Sequence, residues 1–133
     1  MPHLVIEFSR DAEHGVDVAA LCQATHAVMT QSGIFPLAGI RVRAHKADFA
    51  VVADGHPDND FVAMTLSVGA GRSTAELHAA GSAIFKAAQG ALADRLSSPH
   101  FALSLEIRVI NPELSWKDTP IHGRLSKRKQ DFA

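Results

Sequence analysis

Two stretches in the first half of the chain alternate between apolar and polar residues, which is the pattern of half-buried β-strands. They cover residues 2–9 and a region around residues 38–52. In the second stretch one face is apolar and the other basic, with Ile40, Val42 and Ala44 set against Arg41, Arg43 and His45. Between the two stretches, Asp17 can cap a helix whose apolar residues recur at helical spacing until Gly33 ends it.

The second half of the chain repeats this order of elements. Residues 61–68 predict a strand, a glycine-rich turn follows, and Ser73 with Glu76 has capping-box spacing for a second helix. Residues 101–110 predict the fourth strand. We therefore predict an α/β fold of two consecutive β-α-β units, forming a four-stranded sheet with parallel pairing within each unit and the helices on one face.

Length and charge limit the interpretation further. The chain has 133 residues and a formal net charge of −1, so we expect one domain over residues 1–116 and no general attraction to nucleic acid or membranes. Residues 117–133 are polar and basic, with Lys127, Arg128 and Lys129, and predict a mobile C-terminal tail. No transmembrane or signal segment is expected. The single cysteine, Cys22, fits a reducing compartment, so we expect a cytoplasmic protein.

Pro2 is the first candidate for chemistry. Initiator methionine is normally removed before a small residue, which would leave Pro2 with a free secondary amine able to accept and return a proton. Burial and nearby cations both disfavour the charged form and lower the pKa of such an amine towards the range of a general base. The alternative is that a proline at position 2 has no functional meaning.

Two arginines could hold an anionic ligand. Arg41 projects from the second predicted strand, and Arg72 lies in G-A-G-R-S, where a turn enters a helix. Backbone N–H groups and a guanidinium at a helix N-terminus suit a carboxylate, and the motif lacks the lysine and spacing of a nucleotide P-loop. Arg43 lies on the same strand face and is a competing candidate. The alternative is that all are solvated surface arginines.

Other reactive residues are less informative. The chain has eight histidines, but none has the spacing of a known metal motif, so we expect no metal site. Asp54, Asp58 and Asp60 lack the spacing of a calcium loop and are interpreted as a solvated turn. Cys22 lies on the apolar face of its helix, where packing is a better interpretation than nucleophilic attack.

Four blocks of sequence resemble the 5-carboxymethyl-2-hydroxymuconate isomerase family of the tautomerase superfamily. They are M-P-H-L-V-I-E at 1–7, G-I-F-P-L-A-G-I-R-V-R at 33–43, A-D-G-H with F-V-A-M-T-L-S-V-G-A-G-R-S between 53 and 73, and L-S-L-E-I at 103–107. The resemblance extends to about residue 116. It implies the double β-α-β fold, a homotrimer, an amino-terminal proline as acid and base at Pro2, and functional arginines at Arg41 and Arg72.

The resemblance also implies a reaction. We expect a cofactor-independent isomerase that converts a carboxylated 2-hydroxymuconate-type dienol from the enol to the keto form, in breakdown of homoprotocatechuate. Arg41 and Arg72 would bind substrate carboxylates and stabilise the intermediate charge. Two alternatives stay open: a proline-based tautomerase of another 2-oxo acid, and a non-catalytic trimer that binds small carboxylates or a protein.

A separate argument for assembly comes from the sheet. Helices on one face would leave the other face uncovered, and we expect that face to be apolar. The residues assigned to it are Leu4, Ile6 or their alternates, Val62, Met64, Leu66 and Val68. Association of several chains would hide such a face; that three copies do so around an axis, with each Pro2 near a subunit boundary, is what the resemblance implies.

Overall fold

Strands and helices alternate along the chain in a computed structural model, which describes residues 1–9 and 15–131, the last five by their backbone alone. The elements are β1 (His3–Ser9), α1 (Val18–Gln31), β2 (Arg41–Ala47), β3 (Asp60–Gly69), α2 (Thr74–Ala91), α3 (Ala93–Leu96), β4 (Phe101–Ile110) and α4 (Pro120–Asp131). Short 3-10 turns lie at Leu37–Gly39 and Pro112–Leu114. In this part of the chain, the helices are too short or too polar to cross a lipid bilayer.

The four strands form one sheet in the order β2-β1-β3-β4. β1 pairs with β2 and β3 with β4 in parallel, as predicted for strands within one unit. The two units join through an antiparallel pairing of β1 with β3. His3 therefore has Arg41 as its partner on one side and Ser67 on the other. The predicted fold class is confirmed.

Local capping fixes where the two long helices begin. The Asp17 side chain accepts a hydrogen bond of 2.9 Å from the backbone N–H of Ala20, at the start of α1. At the start of α2, Ser73 and Glu76 form both bonds of a capping box, at 3.0 and 3.1 Å. These bonds satisfy backbone donors that have no partner within the helix, which is why both starts follow from sequence.

The core lies between the sheet and the helices, and this placement overturns our assignment of the uncovered face. The apolar residues assigned to that face are buried in the core: Leu4, Ile6, Val62, Met64, Leu66 and Val68. The sheet has one strongly apolar face, and α1 and α2 need that face to bury their own apolar residues. The opposite face carries Val5, Phe61 and Ile110 among mainly small and polar or charged residues: His3, Glu7, Ala63, Ser67, Ala102, Ser104, Glu106 and Arg108.

Two local assignments also change. The segment predicted to be a mobile tail contains helix α4, which contacts the 3-10 turn Leu37–Gly39; the side chains of Lys127, Arg128 and Lys129 lie outside the described residues. Asp60 is not in a solvated turn but begins β3 and is buried. Its carboxylate accepts hydrogen bonds of 3.0 Å from Ser9 Oγ and from the Arg95 guanidinium. A buried carboxylate needs such partners, and they come from distant parts of the chain.

Candidate active site

The start of the chain lies at one end of the sheet, beside the ends of two other strands. β2 runs parallel to β1, so it begins next to the chain start, and its first residue is Arg41. β3 runs antiparallel to β1, so it ends there, at Gly69, and Arg72 follows three residues later. The sheet topology thus brings Pro2, Arg41 and Arg72, all three predicted site residues, to the same end of the fold.

Pro2 is held tightly against its neighbours. Its side chain is fully buried, and its carbonyl accepts a hydrogen bond of 3.1 Å from the backbone N–H of Arg41. A Cβ atom added to Gly39 would lie 3.2 Å from Pro2 Cδ and 3.3 Å from Met1 Cα. The 3-10 turn that carries Gly39 therefore forms a wall for the first two residues.

The amine at the chain start is surrounded by cations. In the structure this amine belongs to Met1, and burial lowers its pKa below the ordinary 8.0; the charges of Lys117, Arg72 and Arg41 lower the pKa further, in that order. Gly69 lies between this amine and one of the arginines, since an added Cβ would be 3.9 Å from Met1 N and 4.0 Å from an Arg72 guanidinium nitrogen. The environment favours a neutral amine, as a general base requires.

Arg72 is fixed by the backbone around it. Its Nε donates a hydrogen bond of 2.9 Å to the carbonyl of Ile34, and its Nη1 donates one of 3.2 Å to the carbonyl of Gly69. The guanidinium also lies over the ring of Phe35, with its central carbon 5.0 Å from the ring centroid. These contacts hold a planar, permanently charged group beside the amine before any ligand binds.

Arg41 is paired with the histidine next to Pro2. Its Nη1 lies 2.7 Å from His3 Nε2. Because a guanidinium can only donate, His3 accepts at Nε2, which requires the neutral ring with its hydrogen on Nδ1. Burial lowers the pKa of His3, and the charges of Arg41, Arg43 and the chain amine lower it further. Arg43 is exposed, and its charge lowers the pKa of His3, whereas the charge of Arg41 lowers the pKa of both His3 and the chain amine.

Sequence reasoning missed Lys117, which lines two cavities together with Met1. The larger, of about 310 Å³, also includes Gly39, Thr119 and His122. The smaller, of about 190 Å³, includes Gly69 and residues that follow β4. The sequence around Lys117 contains no motif that would identify it as a site residue, and the segment was interpreted as a tail. Only the return of the chain after β4 places it at the amine.

Two other groups lie away from this end of the sheet. Cys22 is half-buried and packs against the core, as its place on the apolar face of the helix predicts, and burial raises the pKa of its thiol. His56, Asp58 and His100 can bring ligand atoms within 4.8 Å of one another, a grouping that sequence spacing did not reveal. The two imidazole rings are stacked, with centroids 4.3 Å apart.

Comparisons with known proteins agree with this geometry. The model of the 5-carboxymethyl-2-hydroxymuconate isomerase family matches residues 2–125. The 5-carboxymethyl-2-hydroxymuconate Delta-isomerase of Escherichia coli is 38% identical over 123 residues, which cover 92% of this chain and 98% of that protein. The match to the family model includes residues 117–125, which lie beyond the sequence blocks that carry the resemblance.

Solved structures show the same relationship in three dimensions. A 5-carboxymethyl-2-hydroxymuconate isomerase from Deinococcus radiodurans R1 superimposes with a TM-score of 0.86 at 31% identity, covering 93% of each chain. A symmetric trimer of wild-type fused 4-OT shares the fold, with a TM-score of 0.63 at 21% identity, covering 87% of this chain and 93% of that chain. On the family match, the E. coli relative and this superposition, the chain is an isomerase that belongs to the 5-carboxymethyl-2-hydroxymuconate isomerase family.

Proposed function

We propose that this enzyme isomerises 5-carboxymethyl-2-hydroxymuconate from the enol to the keto form, with the amine of Pro2 as acid and base. The observation that carries this proposal is the convergence of the chain start with Arg41 and Arg72 at one end of the sheet. The E. coli relative bears this substrate in its name. A partly buried amine beside two arginines that are held in place by hydrogen bonds suits a multiply charged substrate that must lose and regain a proton.

The proposal requires that Met1 be removed. With Met1 present the Pro2 nitrogen is an amide and cannot accept a proton. Met1 lines both cavities at the chain start, so its removal would join this space to the Pro2 nitrogen. The same cations, Arg41, Arg72 and Lys117, would then face a secondary amine rather than a primary one.

The reaction balances with the substrate alone. The Pro2 nitrogen takes the proton from the 2-hydroxyl group, and the electron pair of that O–H bond forms the C=O bond as the conjugated double bonds shift. The protonated amine then delivers the same proton to a carbon farther along the conjugated chain of the substrate, which regenerates the neutral base. Arg41 and Arg72 bind carboxylates and stabilise the dienolate charge between these steps. No cofactor is required by this balance, and we propose none.

Replacement of Pro2 tests the proposal. Pro2→Ala should lower kcat for 5-carboxymethyl-2-hydroxymuconate by roughly 10²–10⁴-fold while the protein stays folded. Pro57→Ala, at an exposed proline in another cavity, is the matched control and should retain activity. Intact-mass measurement must confirm that Met1 is absent from each protein. A chain with one extra, uncleavable residue before Pro2 should be inactive; full activity there, or in Pro2→Ala, would exclude catalysis by this amine.

We also propose that the enzyme is a homotrimer, on grounds that differ from the sheet-face argument made from sequence. Several large apolar side chains are exposed in the single chain: Phe49 (93%), Val51 (90%), Trp116 (85%) and Leu114 (71%). Such residues are typical of an association surface. Analytical ultracentrifugation should find three chains per particle; a fully active particle of one 14.2 kDa chain would contradict this. The cytoplasmic location stays a prediction.

A further inference from the structure

The chain start is faced by three cations, one more than the two arginines predicted to bind carboxylates. Lys117 lines both cavities beside Met1, and its charge acts on the chain amine together with those of Arg72 and Arg41. The three cations come from three different places in the fold: the start of β2, the turn after β3 and the segment after β4. The three cations therefore reach the chain start from separate elements of the fold.

Lys117 is set in place by folded elements on both sides. After β4, the Asn111 side chain accepts a hydrogen bond of 3.0 Å from the backbone N–H of Glu113, which starts the 3-10 turn Pro112–Leu114. After Lys117, helix α4 packs on the 3-10 turn Leu37–Gly39, the same turn whose Gly39 contacts Pro2. The segment that carries Lys117 is thus anchored to the wall of the site.

We propose that Lys117 binds the third carboxylate of the substrate and makes the enzyme selective for a tricarboxylate over a dicarboxylate. This inference rests on the proposed function. 5-Carboxymethyl-2-hydroxymuconate carries three carboxylates, two at the ends of the dienol chain and one on its carboxymethyl branch. Arg41 and Arg72 can account for two of them, and the branch needs a further cation.

The chemistry of lysine suits this role. The branch carboxylate is the one farthest from conjugation, so it gains no charge during the reaction and needs binding rather than stabilisation of a transition state. Lys117 is exposed, and an ammonium on a flexible stem can follow a carboxylate that is joined through a single CH₂ group. Arg72, in contrast, is locked by two backbone carbonyls. Arg72, which is fixed, and Lys117, which is flexible, would therefore bind different carboxylates of the substrate.

The test compares two substrates on one set of variants. Lys117→Met should lower kcat/KM for 5-carboxymethyl-2-hydroxymuconate by roughly 10–100-fold, the value of a charge-assisted hydrogen bond. At a pH above the acid-side midpoint of kcat/KM, where loss of the Lys117 charge leaves the amine neutral, the substitution should change kcat/KM for 2-hydroxymuconate, which lacks the branch, by less than about threefold. Lys117→Arg, which keeps the charge, should restore most of the selectivity. Lys86→Met removes one charge from the exposed face of α2 and should affect neither substrate.

The outcomes separate this inference from the function on which it rests. Equal losses on both substrates in Lys117→Met, or no loss on either, would overturn the role in selectivity while the wild-type activity still supports the proposed isomerase. A wild-type enzyme that turns over neither substrate would refute the proposed function and this inference together. Thermal melting of each variant excludes loss of fold as the cause of a lower rate.

Discussion

Gly39 lies against the first residues of the chain, where an added methyl group would press on the proposed base. In Gly39→Ala the new Cβ would be 3.2 Å from Pro2 Cδ. The backbone at Gly39 does not have a positive φ, so alanine fits the local conformation. The substitution therefore probes the position of Pro2 without changing any residue that carries charge or a proton.

The expected size of the effect follows from this contact. At 3.2 Å the neighbour must move by a few tenths of an ångström, and Cδ is bonded directly to the Pro2 nitrogen. A misplacement of about 1 Å at a reacting group can cost roughly 10²-fold, so we expect kcat/KM to fall by roughly 3–30-fold. Stability should change by less than about 1 kcal/mol, because the crowding is offset by the lower chain entropy of alanine in the unfolded state.

Steady-state kinetics with 5-carboxymethyl-2-hydroxymuconate and thermal melting measure these two quantities. Gly90→Ala is the matched control, because its Cβ would meet nothing within 4 Å and it lies within α2. It should leave the rate unchanged and raise the free energy of unfolding by about 0.5–1 kcal/mol. If Gly39→Ala retains wild-type kcat/KM, the position of Pro2 does not limit the reaction as argued. If Gly39→Ala lowers the melting temperature by many degrees, the lower rate would result from unfolding rather than from displacement of Pro2.

Three further predictions concern the charged groups at this end of the sheet. Arg41→Ala and Arg72→Ala should each lower kcat/KM by roughly 10²–10³-fold while the protein stays folded, whereas Arg43→Ala should change kcat/KM little. Wild-type kinetics in both Arg41→Ala and Arg72→Ala would show that these arginines do not bind the substrate, and Arg43 would become the candidate for the anion site. Burial and the charges of Lys117, Arg72 and Arg41 lower the pKa of the Met1 amine, and we expect the same cations to lower the pKa of the Pro2 amine once Met1 is removed; loss of one of these charges should then shift the acid-side midpoint of kcat/KM to higher pH, and an unchanged midpoint would contradict this. His3 is held neutral with a pKa below 6.5, so the free energy of unfolding should decrease as pH falls below 6.5, and melting curves of His3→Gln should show a weaker decrease.

Features of this fold that depend on neighbouring residues were predictable from sequence. Asp17 and Ser73 each cap a helix through a backbone N–H three residues away, so the sequence motif and the contact coincide. Alternation in the second strand likewise separates Val42 and Ala44, which pack against the core, from Arg41, Arg43 and His45. In each case one short stretch contains all the atoms that decide the outcome.

Features that depend on distant partners were not predictable in the same way. Alternation shows that Leu66 and Thr65 lie on opposite faces but not which face the helices cover, and our assignment of the apolar set to the open face was wrong. Asp60 looked like a turn residue because its partner Arg95 is 35 positions away. Lys117 carried no signal because its role is defined only by its approach to the chain start.

The orientation of one strand pair decides whether this fold has a site at all. Sequence favoured parallel pairing within each β-α-β unit but did not address how the units join. If β3 ran parallel to β1, its end and Arg72 would lie at the far end of β1, about seven residues or 20 Å from Pro2. The antiparallel pairing instead brings the end of β3 to the chain start, and β4, parallel to β3, ends there too and delivers Lys117. Two of the three cations around the amine therefore depend on this single strand junction.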